Sequence, residues 1–357
     1  LNLSATRKRA LTALLLLAFD AGNTLWAHPA QRPRPKQLST PSQFRENNLW
    51  TMLERGVGLF AQAGSPVPFE AWPQKIPETG GICIYEGRLK DLAHEVKREI
   101  PIAAVIGSIP RPNQAFWTLS ALWAGWLWGR DAVEPYKTAL RRRRYDWAWS
   151  ATALFAMFSH LDELLADGVP VFGVMPEPEA PFMTSVLTAA SIAGFKLESV
   201  ALRTEHDPAQ VVWKSGKKSV PTEMEVGTAR KALRDYLSAR GEPVGYLHLH
   251  TAGLIALAEV NALKKAEDEF DFAMRKTQSV MEQALKDSHD FIHHSTGEGV
   301  DTGMWGLASA SQDESLSDKV EITIVTFLQK NPNATYLEVE EELSRQFTGL
   351  MTPSKGL

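Results

Sequence analysis

The 357-residue sequence has a single cysteine, Cys83. One thiol excludes an internal disulfide and a cysteine-built zinc cage. It also lacks an excess of positive charge: 38 Lys and Arg stand against 42 Asp and Glu, a net −4. The chain is therefore no basic nucleic-acid coat, and any nucleic-acid site must be a local patch. The N-terminal apolar run, residues 11–19, is closed by Asp20. It falls short of the roughly 20 apolar residues that span a bilayer, so no membrane association is expected. There is no Gly-x-Ser-x-Gly elbow, no P-loop and no His-Glu-x-x-His, and no internal repeat is visible. What is present is ordinary for a folded protein: 44% apolar and 22% charged residues, with 11 tryptophans. The length suits two or three domains.

The N-terminus has two readings. Residues 6–27 carry a basic start, the apolar run and a small-residue tail, which imitate a secretory signal. The same stretch reads as a buried helix over residues 8–23. Leu1 in place of methionine points to an unusual start codon or to a fragment. Residues 30–42, rich in Pro, Arg and Gln, read as a linker, 44–60 as a helix, and the proline-rich 64–81 as loop.

From residue 82 the pattern alternates. Residues 82–85 read as a strand and 89–96 as a helix. Residues 102–106 form a continuous apolar run, as in a strand buried on both faces of a parallel sheet. The prolines of 110–112 break it. Helices follow over 116–128 and 149–165, a strand over 169–175, a helix over 181–193 ended by Gly194, and two strands over 197–203 and 210–214. Alternating strands and helices mean an α/β fold, with an antiparallel pair at one edge. Beyond Gly216 the chain reads as helices over 222–240, 247–263 and 267–285, a polar loop over 297–317, and a small helical module. In that module Ser317 is placed to cap a helix, 331–333 is a turn, and Thr335 with Glu338 has capping-box spacing.

This order resembles the second half of a class I S-adenosylmethionine-dependent methyltransferase. Residues 196–216 look like its closing sixth and seventh strands, and 170–195 like its fifth strand and helix. Residues 102–129, IAAVIGSIPRPNQAFWTLSALWAGWLWG, resemble the fourth strand and following helix of amino-methylating DNA methylases. There a strand runs into Asp/Asn-Pro-Pro-aromatic, and in large adenine-specific methylase-like proteins an LSxLWxxWL helix follows. Leu119, Ser120, Leu122, Trp123, Trp126 and Leu127 match that helix. The resemblance implies a Rossmann-like methyltransferase sheet, incomplete here, then a helical region and a helix-turn-helix or winged-helix-like C-terminal module. It divides the chain into 1–75 (helical), 76–218 (the C-terminal half of the methyltransferase domain), 219–300 (helical) and 316–357 (a truncated winged-helix-like module). It implies S-adenosylmethionine as cofactor, no metal, DNA as partner and a cytoplasmic location. It also favours the helix over the signal peptide at the N-terminus.

Two departures stand out. The family tetrapeptide reads Ser108-Ile109-Pro110-Arg111. The family carboxylate or amide accepts a hydrogen bond from the target amine, and its aromatic ring stacks on the flipped base. Ser108 takes the carboxylate's place with a hydroxyl, Pro110 is kept, and Arg111 offers cation–π stacking instead of a ring. Phe116 is the nearest aromatic residue to line a pocket. Secondly, the Gly-rich methyl-donor loop has no match, since Gly56 and Gly58 lie in a helix-like stretch. In the family that loop lies upstream, which implies an upstream-encoded polypeptide carrying it. Without the family's first two strands, strand 102–106 would expose an unpaired edge.

Arg141, Arg142, Arg143 and Arg144 form a candidate phosphate-binding patch, with Tyr145, Trp147 and Trp149 beside it. Trp117, Trp123, Trp126 and Trp128 read as core. Glu177 and Glu179 follow the strand of 169–175 at the end where open α/β sheets bind ligands. Glu205, His206 and Asp207 read as a turn. His248 with His250, and His293 with His294, lack a third ligand at helical spacing, so no metal site is expected. The alternatives to a methyltransferase are a non-catalytic DNA-binding relative and an exported protein.

Overall fold

The computed structural model describes residues 3–25, 38, 46–61, 67–74, 80–96, 100–111, 114–141, 146–204, 206–216, 220–264, 270–286, 289–294, 297, 299–309 and 313–354. The fold is mixed α/β, with α1 Ala5–Gly22, α2 Leu49–Ala61, β1 Phe69–Ala71, β2 Ile82–Ile84, α3 Leu89–Val96, β3 Val105–Ser108, α4 Gln114–Trp128, α5 Glu134–Arg141 and α6 Trp147–Leu164. There follow β4 Pro170–Met175, α7 Ala180–Ala193, β5 Lys196–Ala201, β6 Ala209–Lys214, α8 Val226–Arg240, β7 Val244–Gly245, α9 Tyr246–Glu259, α10 Phe270–Lys286, β8 Phe291–His294, β9 Met304–Leu307, α11 Leu316–Lys330 and α12 Tyr336–Gln346. No helix among the described residues is long and apolar enough to cross a membrane. The chain divides into two compact units, one of residues 1–87 with 112–146, the other of 88–111 with 147–357.

In the first unit α1 starts at Ser4, whose hydroxyl caps the Arg7 N–H at 3.4 Å. It packs on α2 through Gly56: a Cβ there would meet Leu17 and Leu14 at 3.1 and 3.3 Å. The glycine of this Gly-Val-Gly is thus a point of helix–helix approach. Phe19 meets Trp126 of α4 edge-on at 5.6 Å. Trp126 and Trp128 are exposed, against the core expectation, while Trp117 and Trp123 are half-buried. Inside the stretch read as loop, β1 pairs in parallel with β2, Phe69 opposite Ile82. The strand read at 82–85 therefore belongs to its own two-stranded sheet, not to that of β3.

The second unit is built on a four-stranded sheet in the order β3-β4-β6-β5. Its first pair, β3 and β4, is parallel; β6 runs antiparallel to both β4 and β5. One face is covered. Phe158 of α6 packs its ring on Trp213 of β6 at 5.3 Å and on Phe195 at 5.4 Å. Gly173 of β4 makes room for Trp213, because a Cβ would lie 2.6 Å from the indole. Helix α7 is buried on nearly every side, begins with Pro181 in its first turn and ends at Gly194 with φ 105°. On the other face the expectation of a doubly buried strand fails. The strand sits at 105–108 rather than 102–106, at the sheet edge, and Ile106 is 79% exposed.

Beyond the sheet, α8 and α9 pack together with α10, and β7-β9-β8 form a three-stranded antiparallel sheet. Strands β8 and β9 fall where the sequence suggested none. Their short runs carry histidine, glycine and tryptophan instead of alternating β-branched residues. Helix α11 is capped by Ser315, not Ser317; the Ser317 hydroxyl donates to Glu242 at 2.7 Å instead. The Thr335–Glu338 capping box at the start of α12 forms as its spacing predicts.

Candidate functional site

The parallel strands β3 and β4 end side by side, where chemistry collects in open α/β sheets. The Ile109 N–H donates to the Val174 carbonyl at 2.8 Å and Ile109 is buried, so the chain stays in register one residue past β3. Ser108 and Pro110 on either side of it are exposed. Arg111 then turns back into the protein, with only 3% of its side chain exposed.

Arg111 is the hub of the site. Its guanidinium donates to the Glu177 backbone carbonyl, lies 3.3 Å from Glu177 Oε2, and donates to Glu179 Oε1 at 2.5 Å. The rings of Trp147 and Phe182 lie 5.5 and 5.6 Å from its centre. A buried cation needs compensation, and here two carboxylates and a carbonyl supply it. Glu177 adopts φ +50°, a left-handed conformation that costs a non-glycine residue about 1 kcal/mol or more. The Arg111 clasp on both the carbonyl and the side chain of Glu177 holds that conformation.

Buried hydrogen bonds hold the first turn of α7 beneath this loop. The Thr184 hydroxyl donates to the Ala180 carbonyl at 3.0 Å. It therefore accepts from His250 Nε2, 2.8 Å away. That assigns the proton to Nε2 and leaves Nδ1 to accept from the Tyr246 hydroxyl at 3.2 Å. Burial pushes the His250 imidazole down to about 4 and raises the Tyr246 phenol. Burial, then the nearby Arg240 charge, lowers His248 to about 4. Neither histidine belongs to a metal-ligand group among the described residues. In His250 sequence reasoning missed a residue that braces the site, since its neutral role depends on partners on another helix.

Of the residues singled out from sequence, Ser108, Pro110, Arg111, Glu177 and Glu179 come together at one sheet end. Arg111 is committed to the two glutamates, so its guanidinium is not presented for stacking on a base. Phe116 belongs to α4 of the first unit, and its side chain lies outside the described residues. Arg141 is exposed at the end of α5, whereas Arg142, Arg143 and Arg144 lie outside the described residues, as does Glu205. Asp207 accepts from the Thr204 hydroxyl at 2.8 Å in the turn between β5 and β6. His293 stacks on Trp305 at 4.2 Å. No family model matches the chain, and no curated protein matches it.

Proposed function

We propose that residues 88–111 and 147–216 are the acceptor-side half of an amino-methylating, S-adenosylmethionine-dependent DNA methyltransferase homologue acting in the cytoplasm. The observation that carries the reading is the strand order. A parallel pair, then an antiparallel strand inserted before its own predecessor, is the order of the fourth, fifth, seventh and sixth strands of that fold. The degenerate tetrapeptide falls at the end of the strand that matches the fourth.

The residues described do not fit the methyl donor. No Gly-rich turn following a strand is found among them, and Gly56 and Gly58 sit within α2. In this reading the donor site comes from a separate polypeptide. This chain's residues present the Ser108 hydroxyl and the rigid Pro110 to the acceptor amine, while Arg111 fixes the facing loop through Glu177 and Glu179. A hydroxyl accepts one hydrogen bond but carries no charge, so transfer is slow. The test combines chain 1–357 with a polypeptide that carries a Gly-rich methyl-donor loop, labelled S-adenosylmethionine and duplex DNA. Ser108→Asp, which restores the family carboxylate, should raise methyl transfer at least tenfold. No transfer with either form overturns the catalytic reading.

A second reading, a non-catalytic DNA-binding relative, is favoured by a specific arrangement. The order α8-β7-α9-α10-β8-β9 over 226–307, with strands ordered β7-β9-β8, matches the order of elements in a winged helix and supports this reading. Salt-dependent binding of the full chain to duplex DNA, weakened by Arg275→Glu on α10, would favour this reading.

A further inference from the structure

We infer that the cavity between α7, α10 and the turn Ala262–Lys264 is a binding site for one ordered water, which bridges Thr188 to Thr277. Three observations define it. First, the Thr188 hydroxyl has no hydrogen-bond partner, although Thr188 is only 1% exposed. A buried hydroxyl left unpaired carries the full desolvation penalty of the group. Other helical hydroxyls of the second unit show what Thr188 forgoes. Thr184, Ser185, Thr251 and Thr277 each donate to the carbonyl four residues back, at 2.7–3.0 Å. Thr188 makes no such bond to Thr184.

Secondly, Thr188 lines a cavity of about 20 Å³, together with Thr277, Lys276 and apolar groups such as Met224 and Leu263. A water needs about 10–15 Å³ of such space, so the cavity fits one water and no larger polar molecule. Thirdly, the two hydroxyls are complementary partners for it. Thr277 is fully buried and commits its proton to the Ala273 carbonyl, so its oxygen can only accept. The water donates to Thr277, and its oxygen accepts the Thr188 proton. Cavities of this size lined by apolar groups alone stay dry; two hydroxyls in the wall reverse that. The bridge bears on how α7 is held. Thr184 and Thr188 lie one turn apart on one face of that helix. Thr184 ties it to α9 through His250, and the water ties it to α10.

The test is a crystal structure of chain 1–357, at a resolution that shows ordered water, beside one of Thr188→Val. The expected result is a single peak within hydrogen-bond distance of both Thr188 Oγ1 and Thr277 Oγ1, lost in Thr188→Val. Valine keeps the shape of threonine, so the variant should fold. In solution, magnetic relaxation dispersion of the water signal should count one fewer long-lived internal water in Thr188→Val than in chain 1–357. Thr188→Ser, which keeps the hydroxyl, should keep the water. A cavity without density overturns the inference. So does a Thr188 hydroxyl turned onto the Thr184 carbonyl, or a larger molecule in the space. An equal water count in chain 1–357 and Thr188→Val overturns it as well, and needs no crystal.

Discussion

Phe172 and Gly173 are neighbours on β4 and belong to two different environments. Gly173 faces the covered side, where Trp213 occupies the space a side chain would need. Phe172 faces the other side and is 40% exposed. On the covered face volume is so constrained that one position must be glycine. On the other a phenylalanine meets partial solvent, and Ile106 beside it is more exposed still. The close packing of this unit therefore lies on one side of the sheet, and its exposed apolar side chains on the other.

The largest break in this comparison should come from paired truncations. Phe158→Ala removes the ring packed on Trp213 and Phe195 and should cost about 3–5 kcal/mol. Phe172→Ala, on the open face, should cost about 1 kcal/mol or less. Urea unfolding of the two variants side by side measures the difference.

Arg111→Ala comes next. It removes the cation that pairs with both Glu177 and Glu179, at a cost of about 3 kcal/mol in the same assay. Changing both glutamates to glutamine in that background should recover part of the loss. A neutral effect of Arg111→Ala would mean that the clasp does not hold the sheet end together.

Acid should weaken this unit. The His250 imidazole titrates near 4 in the fold and near 6.5 unfolded, so the unfolded chain takes up the proton more readily. Its contribution is full above about pH 6.5, falls as pH drops toward 4, and amounts to about 3 kcal/mol by linkage at most. His250→Gln should reduce the pH dependence of stability across that window, with His248 supplying part of what is left; an unchanged slope would contradict the buried neutral imidazole. The smallest effect belongs to α12, which buries no residue. Thr335→Ala should cost about 1 kcal/mol, read as faster amide exchange at the start of that helix.

Much of this arrangement was legible in the sequence because it is local. The periodicities of α3, α6, α7 and α8, the Gly194 end of α7 and the Thr335 capping box all follow from residues within a few positions of one another. What depended on distant partners was less legible. Residues 102–106 read as an interior strand because they are apolar, yet an apolar run has the same composition at a sheet edge, where β3 lies. Strands β8 and β9 are set by pairing, not by propensity. At the candidate site the residues were visible but their relation was not. Arg111 and the two glutamates lie more than sixty positions apart, and only the parallel pairing of β3 with β4 makes them a unit.

The central proposal is that the described residues hold the acceptor side of a methyltransferase sheet and not its donor side. Calorimetry with S-adenosylmethionine tests it most directly, on chain 1–357 alone and on the same chain joined by a polypeptide that carries a Gly-rich methyl-donor loop. The account predicts no binding to the chain alone at millimolar ligand and saturable binding to the pair. Bound ligand at about 100 times its dissociation constant should stabilise the pair by about 2.7 kcal/mol. Saturable binding to the chain alone, or none to the pair, would contradict it.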